Sequence, residues 1–333
     1  MPIAYSILDL APINQGGDAA QSFRNTLDLA RHAERWGYRR YWLAEHHATP
    51  GIASAATAVL IAHVAAGTRT IRVGAGGVML PNHSPLVIAE QFGTLECLHP
   101  DRIDLGLGRA PGTDARTVRA LRRNLASSAE QFPQDVQELA DYFAGSPRQP
   151  IRAVPGAGLR VPLWILGTSL YGAQVAAALG LPYAFASHFA PAQLMQAIAT
   201  YRSLFRPSTQ LSNPYVMVSY SVFAADTFAQ ARYWASSMHQ EAINFFNGQL
   251  TPLPPPVEGY FDRLTPGQKA AIEEVRACSA IGTLSSVRTA LRTFLDLTGA
   301  DEIIIPSQIF DHAARLRSYE IVAEALSGTA DAR

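Results

Sequence analysis

Cysteine is scarce in this chain: there are two among 333 residues, Cys97 and Cys278. Neither belongs to a C-x-x-C pair, so neither a disulfide framework nor a thiolate zinc site is expected. Lysine is scarcer still, since Lys269 is the single one of 27 basic residues and the rest are arginine. An excess of either charge is also missing, with 27 basic residues against 27 acidic ones. A chain of zero formal charge has no general attraction for nucleic acid or an anionic membrane. No run of about 18 apolar residues occurs, so no membrane-spanning helix is expected. The opening MPIAYSILDLAP lacks a basic n-region and soon turns polar, unlike a secretory signal. A cytoplasmic protein is expected.

What the chain does contain is material for a large core, with 48% hydrophobic and 16% charged residues. Its length suits one large α/β barrel as well as two smaller domains. Short apolar runs at Ile3–Asp9, Arg39–Leu43, Thr70–Ala75, Arg102–Leu107, Pro162–Leu166, Tyr183–Ala186, Tyr215–Ala224 and Glu302–Ile305 read as strands. Helical spacing fills the intervals, over Ala19–Trp36, Ser54–Ala66, Pro85–Leu98, Thr113–Phe143 (broken near Pro133), Leu170–Leu179, Pro191–Phe205, Thr227–Phe246, Leu284–Leu297 and Asp311–Leu326. Continuously apolar strands imply a sheet buried on both faces. Eight alternations predict a single (β/α)8 TIM barrel over residues 1–333. One stretch interrupts the pattern. Gly248–Arg276 carries TPLPPPVEGY, which cannot be helix because proline lacks the amide and clashes with the preceding turn. This predicts a Pro-containing insertion, 248–280, after the seventh strand. It is either a lid or substrate wall, or a surface excursion.

In such a barrel the chemistry gathers where strands end. Glu45-His46-His47 follows the strand RRYWLA. An imidazole there is a proton carrier suited to neutral pH, and His46 is the candidate, with Glu45 beside it. A hydrogen-bonded structural role is expected for His47. Adjacent residues of an extended chain point opposite ways, so His46 and His47 are poorly placed to share an ion, and no metal site is expected. Gly74-Ala75-Gly76-Gly77 ends the third strand, marking either a bulge or a close approach of a flat ligand. The chain then continues extended through Met79, which disfavours a dinucleotide-binding helix start. Arg109 ends the fourth strand, free to clamp an anion or to form a surface ion pair. Thr168 and Ser169 open a helix at Leu170, and Gly172 lies in its first turn. Hydroxyls and free amides at a helix start bind an anion or simply cap the helix. Asp9, His83, Ser187 and His188 are candidates for lining the same mouth, Asp9 alternatively capping a turn.

Taken in order, WLAEHH, VGAGGVMLPNHSPLVIAEQFGTLE, DRIDLGLGRAPG, and LGTS followed by GLPYAFASHF resemble the bacterial luciferase-like flavin monooxygenases. The similarity runs from about residue 3 to 325. It implies a (β/α)8 barrel that uses reduced FMN and O2 to oxidise a small organic substrate. The flavin would come from a separate NAD(P)H:flavin reductase, and the protein would form a homodimer. By position, His46 matches the family's active-site histidine beside the flavin. Gly76 and Gly77 match a non-proline cis peptide against the isoalloxazine ring, with Met79 nearby. Arg109, Thr168 and Ser169 match phosphate contacts, while Gly172 replaces a hydroxyl. Gly108 stands where the light-emitting branch has a reactive cysteine, and 248–280 does not resemble the luciferases, so aldehyde specificity is not implied. Two alternatives stay open: a coenzyme F420-dependent oxidoreductase on the same barrel, and a non-catalytic flavin-binding protein.

Overall fold

The computed structural model describes residues 3–110, 117, 120–121, 129–145 and 150–327. Ten strands are described: β1 (Ala4–Asp9), β2 (Arg40–Leu43), β3 (Arg72–Met79), β4 (Ile103–Gly108), β5 (Leu163–Gly167), β6 (Tyr183–Phe185), β7 (Val216–Ser219), β8 (Ser221–Ala224), β9 (Ser279–Gly282) and β10 (Glu302–Pro306). Eight of them close into a parallel barrel in the order β1-β10-β7-β6-β5-β4-β3-β2. These are the eight strands expected from the apolar runs. The helices are α1 (Ala19–Arg35), α2 (Thr57–Ala66), α3 (Pro85–Leu98), α4 (Phe132–Ala144), α5 (Leu170–Leu179), α6 (Leu194–Leu204), α7 (Phe228–Phe246), α8 (Pro266–Val275), α9 (Leu284–Thr298) and α10 (His312–Ser327). None of them is long and apolar enough to cross a membrane.

Alternation along each strand sorts the apolar side chains into two layers. Ile7, Leu43, Val73, Leu105 and Ile165 join the helices in the outer core. Leu8, Trp42, Trp164, Ala184, Met217 and Ile304 form a separate cluster inside the barrel. At the N-terminal ends of the strands the interior is ionic. The Arg40 guanidinium bonds Asp104 at 2.6 Å and Glu302 at 3.0 Å, and Arg72 bonds Asp104 at 2.7 Å. Burial alone would raise the Asp104 carboxyl, but Arg40 and Arg72 hold it below the ordinary carboxylate range. The barrel is thus sealed at one end, and its open end lies where the strands finish. Helices stop where expected: Gly180 and Gly299 take φ of 64° and 57°, a left-handed C-cap that favours glycine.

Two expectations need correction. The seventh strand is not continuous over Tyr215–Ala224. It breaks at Tyr220, whose amide bonds the Ile304 carbonyl at 3.0 Å while its ring packs 4.5 Å from Phe294. Beyond the break, β8 leaves the barrel and pairs in parallel with β9, a strand the sequence reading did not anticipate. The insertion 248–280 is not bare loop, because it contains α8 and the start of β9. Of the long helix expected over Thr113–Phe143, α4 forms the last part; residues 113–116, 118–119 and 122–128 lie outside the described residues. The Pro-rich run itself is tied to the barrel mouth. The Leu253 amide donates to the Ile13 carbonyl and the Gln15 amide to the Leu253 carbonyl, both at 2.8 Å.

Candidate active site

The chain leaves β2 through Ala44 and presents Glu45, His46 and His47 at the open end. Glu45 is buried, and one of its oxygens gathers two imidazoles. His47 Nε2 lies 2.9 Å from Oε1 and His83 Nε2 lies 2.8 Å from the same atom. The Met79 amide donates to Oε2 at 3.3 Å. Burial alone would raise the Glu45 carboxyl, but His83 and His47 hold it below the ordinary carboxylate range. Glu45 therefore joins the end of β2 to the end of β3. The ligand-type atoms that converge are those of Glu45, His47 and His83, all within 4.8 Å of one another.

His46 is half-buried, and its backbone amide bonds the Ser54 carbonyl at 2.9 Å. His188 stands near it. Burial, and then proximity to His46, push His188 down to about 4. His188 Nδ1 stands 2.6 Å from the Ser219 hydroxyl, which also accepts the His188 amide at 3.1 Å. The end of β6 and the end of β7 are thus locked together beside His46. Ser187 completes that lock and offers no surface to a ligand: it is fully buried, its hydroxyl donating to the Ser219 carbonyl at 2.5 Å. Asp9 does not line the mouth either. It is fully buried on the helix side of β1, bonding Arg315 and the Ala11 amide at 2.8 Å each, Thr26 at 2.7 Å, and the Tyr41 hydroxyl. Both carboxylate oxygens are consumed. Of its two expected roles, only the turn contact at Ala11 is realised.

The peptide between Gly76 and Gly77 is cis, and the β3–β4 register shifts between Ala75 and Val78. A bulge is present, as one of the two sequence alternatives required. The glycines are needed by the protein itself. A Cβ on Gly76 would come within 2.7 Å of the Leu8 side chain, and one on Gly77 within 2.6 Å of the Gly106 carbonyl. Met79 is half-buried at the end of the same strand.

Across the mouth, Arg109 is exposed and lies with its guanidinium carbon 4.4 Å from the centre of the Tyr171 ring. Tyr171 sits in the first turn of α5, so the arginine rests at that helix start. Ser169 holds the N-cap position with extended dihedrals, yet its side chain makes no capping bond. Asp18 and Thr227, by contrast, accept the Gln21 and Gln230 amides at the starts of α1 and α7. Ordinary capping is therefore not what Ser169 does here. Thr168 is half-buried beside it. Gly172 is buried, a Cβ placed on it meeting Gly167 at 3.6 Å and Tyr183 at 3.5 Å. The Tyr183 hydroxyl donates to the Ser169 carbonyl at 3.1 Å and fixes the turn. Two residues of this site escape sequence reasoning, Tyr171 and Ser219. Tyr171 is the second residue of α5 and Ser219 the last residue of β7, and that position is the sequence signal each carries.

Comparison with known proteins agrees with this fold. The family model for luciferase-like monooxygenases matches residues 3–302. A protein of Escherichia coli named luciferase-like monooxygenase is 53% identical over 323 residues, covering 97% of this chain and 96% of its own. The crystal structure of apo-MsnO8 superposes with a TM-score of 0.88 at 35% identity, covering 98% of each chain. The oxygenating constituent of 3,6-diketocamphane monooxygenase from Pseudomonas putida, in complex with FMN, superposes with a TM-score of 0.75 and covers 99% of each chain; at 14% identity this is a likeness of fold alone. The chain belongs to the luciferase-like monooxygenase family.

Proposed function

We propose that this protein is a flavin-dependent monooxygenase that takes reduced FMN from a separate NAD(P)H:flavin reductase and uses O2 to oxidise a small organic substrate. The observation that carries this reading is the start of α5. Exposed Arg109, the consecutive hydroxyl residues Thr168 and Ser169, and first-turn amides without a side-chain cap lie at that start, and they would serve as a donor set for a dianionic phosphate. Arg109, Thr168 and Ser169 would hold the phosphate of FMN. The ring would rest near the Gly76-Gly77 peptide and Met79. When bound, the reduced flavin supplies the electrons for oxidation by O2.

The remaining work belongs to the protein. His188, pushed down to about 4, is uncharged near neutrality and cannot exchange a proton there by changing charge. Proton handling falls to His46, the half-buried imidazole beside it. Glu45 acts through position, since its oxygens are occupied by His47, His83 and Met79. The Pro-rich run, bonded to Ile13 and Gln15, walls the mouth and limits water. Val59 on α2 and Val87 and Leu98 on α3 are large apolar side chains exposed by 68%, 44% and 62%. They suit packing against a second copy, and sedimentation of the purified chain tests the homodimer.

Anaerobic titration with reduced FMN and with reduced F420 separates the two cofactors. Saturable FMN binding with weaker F420 binding is expected, and the reverse order overturns the assignment. His46→Ala is expected to keep FMN affinity within about twofold while oxygen consumption loses its coupling to product, since a single proton-transfer group is worth about 10²–10⁴-fold. Coupled turnover at the normal rate in that variant removes His46 from the role. Flavin reoxidation with no oxidised product across broad substrate trials favours a flavin carrier instead.

A further inference from the structure

We infer that Glu45, His47 and His83 form a binding site for a divalent transition-metal ion at the edge of the candidate active site. The donor set is one carboxylate and two imidazoles, which suits Zn²⁺, Co²⁺ or Fe²⁺ rather than the all-oxygen preference of Ca²⁺ or Mg²⁺. Both imidazoles present Nε2 to the same carboxylate oxygen, at 2.9 and 2.8 Å. With metal–ligand bonds of about 2.0–2.2 Å, such oxygen–nitrogen separations subtend roughly a right angle at a shared ion. All three ligand atoms lie within 4.8 Å of one another. Two nitrogens bound to one ion can be no more than about 4.2 Å apart, so closure asks for movements of under about 1 Å. The ion would take the place now held by the contacts between each imidazole and the carboxylate.

The support around the ligands is already in place. Glu45 Oε2 accepts the Met79 amide, which orients the carboxylate and leaves Oε1 aimed at the histidines. The His83 amide bonds the Leu80 carbonyl at 2.9 Å, and the neighbouring His46 amide bonds Ser54, so the loops that carry the ligands are anchored. Access is one-sided. The Glu45 side chain is 2% exposed, while those of His47 and His83 are 16% and 28% exposed, so an ion reaches the set from solvent and keeps open positions. Three protein ligands with open positions make an exchangeable site rather than a closed structural one.

The inference does not depend on the proposed oxidation. Its test is metal binding by the full chain, stripped with a chelator and free of flavin, at pH 7.5. Co²⁺ is expected to give ligand-field absorption that saturates at one ion per chain and is displaced by Zn²⁺. Zn²⁺ affinity, read by competition with a chromophoric chelator, is expected to fall at least tenfold in His83→Ala and in Glu45→Gln. His83 is partly exposed, so its variant keeps the fold, checked by circular dichroism and melting. His312 also faces a carboxylate, 2.9 Å from Asp28, and supplies the control. No saturable Co²⁺ signal, or binding that survives His83→Ala and is lost in His312→Ala, overturns the assignment.

Discussion

Arg109 keeps its guanidinium over the Tyr171 ring, 4.4 Å from the ring centre, although solvent is open to it. Attraction of its charge to the ring does not consume the N–H donors, which the proposed reading assigns to the FMN phosphate. That division of labour explains why the residue is arginine, since an ammonium presents a point charge without a fork. Arg109→Ala is expected to weaken FMN binding by about 10–100-fold, the size of a lost charge-assisted hydrogen bond. Riboflavin, which has no phosphate, should bind both forms alike. Fluorescence titration with the two flavins checks this, and an equal loss for riboflavin places Arg109 away from the phosphate. At this scale the sequence is only partly legible. His46, Arg109 and Ser169 can be picked out because strand ends and helix starts reveal themselves locally. Asp9 cannot be placed that way, because its decisive partner, Arg315, is 306 positions further along the chain. Ser219 is hidden for the same reason, as an ordinary hydroxyl until folding brings His188 against it.

Elements are held in register by single side chains as well as by their faces. Glu34, in the last turn of α1, accepts the amides of Arg69, Thr70 and Ile71 at 2.8, 2.6 and 3.0 Å, fixing the approach to β3. Burial by itself would raise its carboxyl, but the amides of Thr70, Ile71 and Arg69 bring it from 4.5 down to about 2. The group is depressed in the folded state. Its stabilisation is therefore complete above pH 4.5 and is lost as pH falls towards 2. Glu34→Ala is expected to cost about 1–3 kcal/mol at pH 7. Urea denaturation at pH 7 and pH 3 measures it, with the gap between variant and parent shrinking in acid. A gap that is constant across that range removes the carboxylate from the account. The barrel strands are legible because continuous apolar runs announce burial on both faces. The pair β8 and β9 is not. SAIG is four residues long with serine and glycine at its ends, too short for a period to register, and its partner begins just past the break at Tyr220.

For the molecule as a whole, the unusual feature is how far the chain travels to finish the barrel. Between β7 and β10 it builds β8, α7, α8, β9 and α9, and it uses part of that excursion to wall the mouth. The expected place of the insertion is correct, because proline and chain order are local facts. Its seating is not legible, because it depends on backbone groups of loops more than two hundred residues earlier. One contact there is narrow enough to probe. Gly51 is buried, its carbonyl accepts the Ile13 amide at 2.9 Å, and a Cβ on it would lie 2.5 Å from the Thr251 carbonyl oxygen. That oxygen belongs to backbone, so no rotamer relieves the clash. Gly51→Ala is expected to cost about 1–3 kcal/mol, the range for overpacking, and to lift the run around Leu253 before the barrel yields. Hydrogen exchange reads the difference: the Gln15 and Leu253 amides should exchange faster, while those of β4 and β5 should not. Unchanged exchange at Leu253 means that the Pro-rich run is seated by its own side chains and not by the loop that carries His46.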